Sequence, residues 1–331
     1  MKIYFKTNKI LHSIPRKFYA DWIKPLFPDL RHDIYGIKKK DLTLSLNPKK
    51  ADILILPLTW NYYFQYGKTN EANETIKFYE MLNKPIITWV SGDYKYKVMD
   101  GNFIILQHSL HKSKQKNNEY AYPAIIRDPF DYLNFYGVNI SSSFKKTRIS
   151  FCGTANWTFL DKCESLFKDF VFRVKNRAFR PYLDLSFPVS GMSLRGKLLK
   201  SFNQNKNLDT HIIIRKRRDS SLISKEKYKF EYWNNILLAP FTICVRGNGN
   251  FSVRFYETLA LGRIPILIDT DCVLPFDNEI NWHKHCIIIK NNTKLNRIVD
   301  SVILSINAMD DNDIINMQIA NRKLWIDKLS F

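Results

Sequence analysis

The feature that most constrains this chain is a set of short apolar runs that alternate with segments of helical period. Five runs in the second half are apolar almost throughout, rather than at every second residue. Strands of this kind are buried on both faces and belong to parallel sheets covered by helices. Four runs in the first half predict a second strand–helix–strand array. The runs are KIYF (2–5), ADILILPL (51–58), KPIITWV (84–90), NFIILQ (102–107), RISFCG (148–153), HIIIR (211–215), FTICVRG (241–247), RIPILID (263–269) and HCIIIK (285–290), with a helical pattern at 71–84.

The chain length and one polar stretch predict two domains. A chain of 331 residues holds two domains at roughly 150 residues each. The segment 137–147 has the composition of a linker. We therefore expect an N-terminal α/β domain over 1–140 and a C-terminal α/β domain over 141–331. The latter ends in amphipathic helices from 293 onward, the last of them able to pack back on the N-terminal domain.

The charge balance and the ends of the chain limit the classes of partner. There are 51 Lys and Arg against 31 Asp and Glu, which gives a net charge of +20 and predicts a nucleic acid, an anionic membrane or a phosphorylated substrate as partner. No run of about 18 apolar residues is present and the N-terminus lacks a signal-peptide pattern, so we expect a soluble or peripheral cytoplasmic protein. The five cysteines include no Cys-x-x-Cys pair, which predicts reduced thiols and no zinc site.

The segment Arg246 to Asp271 carries the clearest signs of a binding site. A strand ends at Arg246, a glycine turn follows, and a helix is predicted from Ser252, with Gly262 at its C-terminal cap. Glycines let the backbone approach a ligand, and a helix N-terminus offers N–H groups to a diphosphate. The turn residues assigned to this site are Gly247, Gly249, Asn250 and Ser252.

Charged side chains extend this predicted site. Arg254 and Glu257 are three residues apart and share a helix face, where the guanidinium can clamp phosphate oxygens and the carboxylate can accept hydrogen bonds from ribose hydroxyls. Arg246 and Arg215 each end a predicted strand and can add positive charge to the same pocket. An ordinary Arg–Glu pair on a helix surface beside a glycine turn is the alternative.

The same segment resembles the signature of exostosin-type glycosyltransferases, in particular their bacterial members. That signature has a glycine turn, Ser-x-Arg-x-x-Glu, Gly-x-x-Pro, an acidic residue and Pro-Phe. Weaker similarity lies in FCGT (151–154), DTHIIIR (209–215), SGD (91–93) and HSLHKS (108–113). The matching residues are Ser252, Arg254, Glu257, Gly262, Pro265, Asp271, Pro275 and Phe276, followed by Asn281 and Trp282.

The resemblance implies a GT-B architecture of two facing Rossmann-like domains with parallel sheets and a C-terminal helical segment. It implies that the C-terminal domain holds a nucleotide-sugar donor, with Gly153 and Thr154 added to its site, and that the N-terminal domain holds the acceptor. It also implies an inverting transfer that needs no metal or other cofactor. Arginines and a helix dipole can stabilise a departing nucleoside diphosphate without a cation, so the residues agree.

An inverting transfer needs a base that takes the proton of the acceptor hydroxyl. Asp93 is our candidate because it follows the strand IITWV and so lies at the carboxyl edge of a sheet. A simple turn at Ser-Gly-Asp is the alternative reading of this residue. His108 and His111 follow the next strand and are rivals, either as base or as donors to the acceptor.

Other residues leave two interpretations open. Trp60 begins an aromatic stretch, TWNYYFQY, that suits the apolar faces of an acceptor sugar or a protein core equally well. Asp269 and Asp271 form a D-x-D, for which we prefer a loop role near the nucleotide over a metal site. MDDND (309–313) predicts a helix start, and His283 and His285 are predicted to lie at a strand edge.

These observations favour a cytoplasmic glycosyltransferase of surface polysaccharide biosynthesis, acting in lipopolysaccharide O-antigen or capsule assembly. Its acceptor would be a glycan or a lipid-linked glycan. The surplus positive charge would attract it to the inner face of an anionic cytoplasmic membrane. The alternatives are an inactive scaffold of the same fold and a nucleic-acid-binding protein. The basic runs at 38–40, 145–148 and 215–218 suggest the latter, but no nucleic-acid motif accompanies them.

Overall fold

The computed structural model describes residues 1–6, 14–26, 42–133, 145–185, 190–215, 224–291 and 294–330, and these form two parallel sheets. The first sheet has the strand order β2-β1-β3-β4-β5-β6, with every pairing parallel. All four runs predicted as strands in the first half are present. The strands are β1 (Lys2–Tyr4), β2 (Thr43–Leu44), β3 (Ile53–Ile55), β4 (Ile86–Val90), β5 (Ile104–Gln107) and β6 (Glu119–Ala121).

The second sheet has the order β11-β10-β9-β7-β8, again with every pairing parallel. All five predicted strands of this half are present. They are β7 (Arg148–Thr154), β8 (Asp209–Arg215), β9 (Phe241–Cys244), β10 (Ile264–Asp269) and β11 (Ile287–Lys290).

Helices connect the strands and cover both sheets. The predicted α7 is present, and Gly262 follows it with φ +61°, as a C-cap glycine requires. Asp310 and Asp313 form a capping box at the start of α9, which confirms the predicted helix start. The helices are α1 (Trp60–Gln65), α2 (Thr69–Glu80), α3 (Pro129–Leu133), α4 (Phe159–Phe179), α5 (Met192–Gln204), α6 (Lys225–Leu237), α7 (Val253–Ala260), α8 (Leu295–Asn307) and α9 (Asp311–Leu324), followed by a π-helical turn, Trp325–Leu329.

The continuous apolar character of the second sheet follows from helices on both of its faces. In β10, Ile266 packs with Leu198 of α5 and Ile298 of α8, whereas the adjacent Leu267 packs with Phe255 of α7. Successive residues of a strand point to opposite faces, so each needs an apolar side chain where both faces are covered. The α/β fold with two parallel sheets and a C-terminal helical segment is thus as predicted.

The predicted domain boundary at 140/141 lies outside the described residues. Residues that precede it already contact the C-terminal helices. Asp128 forms an ion pair with Arg322 of α9 at 2.6 Å, and Leu133 of α3 packs with Trp233 of α6. The chain therefore reaches the second sheet before residue 134. Of the basic runs, 38–40 and 216–218 also lie outside the described residues.

The loops at the carboxyl ends of the two sheets meet each other. Segment 108–113, after β5, contacts segment 270–272, after β10, through an antiparallel bridge between His111 and Cys272. This is the facing arrangement of two Rossmann-like units, the GT-B type. The five cysteines are free thiols, as predicted. In the part of the chain that the structure describes, no helix is long and apolar enough to cross a membrane.

Candidate functional site

The N-terminus of α7 opens at the carboxyl edge of the second sheet. Ser252 is its N-cap residue, and the side chain makes no capping hydrogen bond, so the first-turn N–H groups are not satisfied by that hydroxyl. Gly249 is required for packing: a Cβ there would lie 3.0 Å from the carbonyl oxygen of Asp93 in the other sheet's loop. The glycine turn therefore brings α7 close to the loop after β4.

Arg254, in the first turn of α7, crosses to the end of β7. Its guanidinium lies 4.1 Å from the ring centroid of Phe151 and donates a 2.6 Å hydrogen bond to the carbonyl of Cys152. Gly153 makes this approach possible, because a Cβ at that residue would lie 2.5 Å from Nη2 of Arg254. The Nε of Arg254 is buried and has no hydrogen-bond partner among the described residues.

Arg195 of α5 joins Arg254 at the same edge. It donates 2.8 Å hydrogen bonds to the carbonyls of Thr154 and Val245, and its guanidinium also lies over the Phe151 ring, at 5.7 Å. Burial, and then the nearby charge of Arg254, lowers the pKa of Arg195 to about 9. Its Nε has no hydrogen-bond partner. Two buried guanidiniums thus share one aromatic ring, with neither making a salt bridge among the described residues.

Arg246 and Asp93 bring the two sheets' loops together. Arg246 is 7% exposed and donates to the carbonyl of Asn248 at 2.7 Å. Burial raises the pKa of Asp93, and the Asn248 side chain and Arg246 oppose that rise. Asn61 of α1 holds the loop before Asp93 by two 2.8 Å hydrogen bonds to the backbone of Ser91. Asp93 therefore lies in the cleft near Arg246.

Glu257 lies on α7 one turn after Arg254. Tyr232 donates to one of its oxygens at 2.5 Å, and the Trp233 indole donates to the other at 3.5 Å. Burial raises the pKa of the carboxyl, while the Tyr232 hydrogen bond and the charge of Arg254 lower it. The two donors fix the orientation of the carboxylate, and each oxygen retains a lone pair for a further donor.

Arg215 differs from its predicted role. Its guanidinium donates to Glu231 at 2.5 Å and to the carbonyl of Tyr228, and it stacks on the Tyr228 ring at 3.6 Å. These partners all lie on α6. Because Glu231 offsets its charge, Arg215 ties β8 to α6 rather than adding free positive charge to the pocket.

Asn250 also differs, because its amide group joins the two sheets' loops. Its Nδ2 donates to the carbonyls of Leu110 and Asp271 at 2.8 and 3.0 Å, and its Oδ1 accepts from Thr270 at 2.7 Å. Its backbone N–H donates to the hydroxyl of Ser109. The side chain is fully buried, and these bonds leave no N–H group of Asn250 for a nucleotide.

The two histidines lie at this same junction. His111 is 6% exposed, its Nδ1 is 3.1 Å from Asn250 Nδ2, and burial together with Arg246 lowers its pKa to about 4. His108 donates from Nδ1 to the Tyr122 carbonyl at 3.0 Å and stacks on Phe251 at 4.9 Å. Both histidines therefore hold the loops together, and His111 stays neutral at pH 7.

Trp60 lies in the core and not in an acceptor groove. Its side chain is 1% exposed and its indole donates to Thr88 of β4 at 3.1 Å. It packs against Tyr63, Phe64 and Phe103. A sugar cannot stack on a ring with no accessible face, so the core interpretation of this aromatic residue is the correct one.

The carboxylates of the D-x-D make separate contacts. Asp269 accepts from the backbone N–H of Cys272 at 3.0 Å, and Asp271 accepts from the Ser113 hydroxyl at 2.6 Å. Asp271 has φ +67°, in the left-handed region. Among the described residues there is no group of three or more His, Cys, Asp or Glu side chains placed to hold a metal. His285 bonds Asn321 of α9 at 2.9 Å.

Sequence reasoning missed Arg195, Asn248 and Asn61. Arg195 has no motif around it, and its place depends on how α5 packs beside the turn after β9. The signal that was present is an arginine beside a glycine in the segment LRGKLL, where three leucines predict a packed helix face.

Comparisons with known proteins agree with the resemblance. Residues 168–302 match the model of the Exostosin GT47 domain, a range that contains Arg195, Arg246, Arg254 and Glu257. The chain is 34% identical over 68 residues to the exostosin-1 homolog of Caenorhabditis elegans, covering 20% of this chain and 18% of that protein. It is 32% identical over 84 residues to the probable glucuronosyltransferase GUT1 of Oryza sativa subsp. japonica, covering 24% of this chain and 20% of that protein. The matched segments thus span about a fifth of these relatives.

Two solved structures are also similar to the chain at low identity. One is a mutant of S. aureus TarM in complex with fondaparinux, alpha-GlcNAc-glycerol and UDP, with 10% identity, a TM-score of 0.38, and coverage of 84% of this chain and 52% of that one. The other is WaaG, a glycosyltransferase involved in lipopolysaccharide biosynthesis, with 9% identity, a TM-score of 0.30, and coverage of 99% and 96%.

Proposed function

We propose that this chain, whose residues 168–302 carry an Exostosin GT47 domain, transfers a sugar from a nucleoside-diphosphate donor to a glycan acceptor. The observation that carries the proposal is the pair of buried guanidiniums, Arg195 and Arg254, that meet over Phe151 beside the N-terminus of α7. Burying cations without carboxylate partners costs free energy, which a bound anion offsets. A diphosphate has the charge and size for such a site.

In this proposal, each residue has a part in an inverting transfer. Arg195, Arg246 and Arg254 hold the diphosphate, and Glu257 accepts hydrogen bonds from the ribose. Asp93 takes the proton from an acceptor hydroxyl as that oxygen bonds to the anomeric carbon. The bond from that carbon to the diphosphate breaks on the opposite face, and the arginines with the helix dipole stabilise the released charge. No metal is needed for this step.

The finer proposal concerns the acceptor. We infer a surface-polysaccharide glycan, of the lipopolysaccharide O-antigen or capsule type, carried on a lipid diphosphate. The family match supports a glycan acceptor, and the net charge of +20 supports an anionic lipid carrier. The inactive scaffold remains the second candidate, since Asn250 and His111 show that several motif residues serve packing.

The test is binding and turnover with the four nucleoside diphosphates. We expect one of UDP, GDP, ADP or CDP to raise the melting temperature. At a hundredfold excess of nucleotide over Kd, the free energy of unfolding should increase by about 2.7 kcal/mol. Arg254→Gln should abolish that gain, whereas Arg297→Gln, an exposed residue of α8, should retain it. Binding of none of the four nucleotides would refute the donor site. Binding without transfer or donor hydrolysis would favour the scaffold.

A further inference from the structure

Helix α4 carries a row of large apolar side chains that face solvent. Leu160, Phe167, Phe170, Val171 and Val174 recur at helical spacing and so share one face. No described residue covers this face. The exposed fractions are Phe159 76%, Leu160 78%, Leu166 65%, Phe167 69%, Phe170 65%, Val171 43%, Val174 56% and Phe179 77%.

The opposite face of α4 attaches the helix to the rest of the protein. Phe172 stacks on Tyr94 at 4.9 Å, and Asn176 is 4% exposed. Arg173 donates to the carbonyl of Leu185 at 2.9 Å. The helix is therefore held by one face while its more apolar face points away, the reverse of an ordinary surface helix. Contiguous exposed apolar patches of this kind mark interaction sites.

The charges around this face are mainly positive. The helix contains five basic and three acidic residues, and all three acids lie in its first half. From Arg173 to its C-cap residue Arg180 the charged residues are all basic, with Lys175, Arg177 and Arg180 exposed. Phenylalanines flanked by lysines and arginines are typical of helices that lie in the interface of an anionic membrane.

We propose that α4 docks this protein on an anionic lipid surface, with its phenylalanines in the headgroup region and its basic residues against lipid phosphates. Charge complementarity selects this partner over a second copy of the chain. Pairing two copies through α4 would bring together two chains of net charge +20, which repel. With eight charged residues, α4 has the character of a helix that lies on a membrane rather than one that spans it.

This surface lies beside the cleft. Tyr94, on which Phe172 stacks, follows Asp93 directly, and the charge of Asp169 on α4 acts on Arg246. Docking would place the cleft roughly one helix diameter, about 10 Å, from the lipid surface. The inference does not depend on the proposed transferase activity, since docking is measured without donor or acceptor.

Cys163 of α4 provides a probe for the test. Of the five cysteines, Cys163 is exposed, Cys272 is partly exposed and three are buried, and burial raises the pKa of Cys272 to about 12, which suppresses its labelling. An environment-sensitive fluorophore on Cys163 should shift to the blue with phosphatidylglycerol vesicles and not with phosphatidylcholine vesicles. The shift should weaken as salt is added. Absence of any shift, or an equal shift with both lipids, would overturn the proposal.

Matched variants distinguish vesicle binding through α4 from binding through the overall positive charge of the protein. In vesicle sedimentation of unlabelled protein, Phe167→Ser/Phe170→Ser should weaken binding at least tenfold. Leu304→Ser/Ile319→Ser, equally exposed on α8 and α9, should not change it. All four changes are at exposed sites, so the variants should fold.

A second pair of variants tests the contribution of the basic residues to vesicle binding. Lys175→Gln/Arg177→Gln removes two positive charges from α4, and Lys49→Gln/Lys50→Gln removes two from the first domain. Only the α4 pair should weaken binding markedly. Equal losses in both pairs would refute a specific docking helix. An α4-dependent dimer in light scattering, without vesicle binding, would assign the surface to a second copy instead.

Discussion

Among the buried arginines, the hydrogen-bond partners of each guanidinium determine whether its charge is available to an anionic ligand. Arg215 has the Glu231 carboxylate at 2.5 Å, so its charge is offset within the protein. Arg195 donates to the carbonyls of Thr154 and Val245 and to the Met192 thioether, which orient the cation without neutralising it. Such a group is poised to stabilise an anionic ligand, because the cost of its desolvation is already part of folding.

Replacing Arg195 should therefore lower the affinity for nucleotide more than the free energy of unfolding. We expect Arg195→Met to weaken nucleotide binding by about 10- to 100-fold, the value of one or two charged hydrogen bonds. The free energy of unfolding without ligand should change little, since the loss of two hydrogen bonds is offset by removal of a buried charge. Calorimetric titration and urea unfolding measure the two effects. A large loss of stability with unchanged affinity would make Arg195 structural only.

Ionisation of Asp93 should determine how kcat depends on pH in the acid range. Burial raises its pKa above the usual 3.8, and a base must be deprotonated to act. As pH falls, kcat should therefore decline at a higher pH than for an ordinary Asp. Asp93→Asn should lower kcat by about 10² to 10⁴ and remove this acid limb. Nucleotide binding should be unchanged.

The control for this variant is Asp100→Asn, whose side chain is 81% exposed in the same domain. It should keep both kcat and the shape of the profile. If Asp93→Asn turned over at the wild-type rate, another group would be the base. His111, a neutral imidazole at this junction, is the alternative candidate.

Residue types alone grouped some residues of the proposed site and misassigned others. Ser252, Arg254 and Glu257 could be grouped from the sequence because they lie at the start of one short helix, where spacing determines which side chains share a face. Trp60 was misplaced because an aromatic residue suits a core and a sugar platform equally, and burial decides between them. Arg195 was missed because 50 residues separate it from Val245, whose carbonyl it bonds.

At the scale of elements, β7 and α7 are fitted to each other through one glycine. The Phe151 ring supports the guanidinium of Arg254, and the missing side chain of Gly153 gives that guanidinium its place. Sequence similarity at FCGT pointed to Gly153, but its function as a space for Arg254 became visible only in the packed structure.

A methyl group at residue 153 should displace Arg254. Gly153 has φ +155°, and an added Cβ would lie 2.5 Å from Nη2 of Arg254. We expect Gly153→Ala to cost about 1–3 kcal/mol through backbone strain and to weaken nucleotide binding at least tenfold. Gly67→Ala is the control, because Gly67 has φ +65° with no atom within 4 Å of the added Cβ. It should lose comparable stability and keep nucleotide binding. Equal nucleotide affinity in both variants would contradict the packing of Arg254 against Gly153 as a requirement for binding.

Elements with strong local signals were predicted well, and the others were not. The nine longer apolar runs became strands because burial on both faces demands continuous apolar sequence. β2 and β6, with two and three residues, do not lie in continuous apolar runs of this kind. α4 was not predicted, although its apolar residues recur at helical spacing. That its apolar face is exposed became visible only in the structure.

At the scale of the whole molecule, Asn250 and Asp271 join the two sheets. Asp271 accepts from the hydroxyl of Ser113, and its backbone carbonyl accepts from Lys112. Asn250 reaches Leu110 from the same side. These contacts span about 140 to 160 residues of chain, and no local pattern records them. The motif after β9 therefore includes residues that join the two sheets' loops, beside the residues that we propose to face a ligand.

Removing the Asn250 amide should separate the domains without unfolding either one. Asn250→Ala leaves the Leu110 and Asp271 carbonyls without their donor, so we expect a loss of about 1–3 kcal/mol. Asn235→Ala is the matched control: Asn235 is 1% exposed and donates to His211, but entirely within the second domain. It should lose similar stability in urea unfolding. Only Asn250→Ala should increase the radius of gyration in small-angle scattering, because only this change opens the cleft between the two sheets. The same opening should raise the KM for the acceptor. An unchanged radius of gyration and an unchanged KM would show that other contacts suffice to hold the two sheets' loops in place.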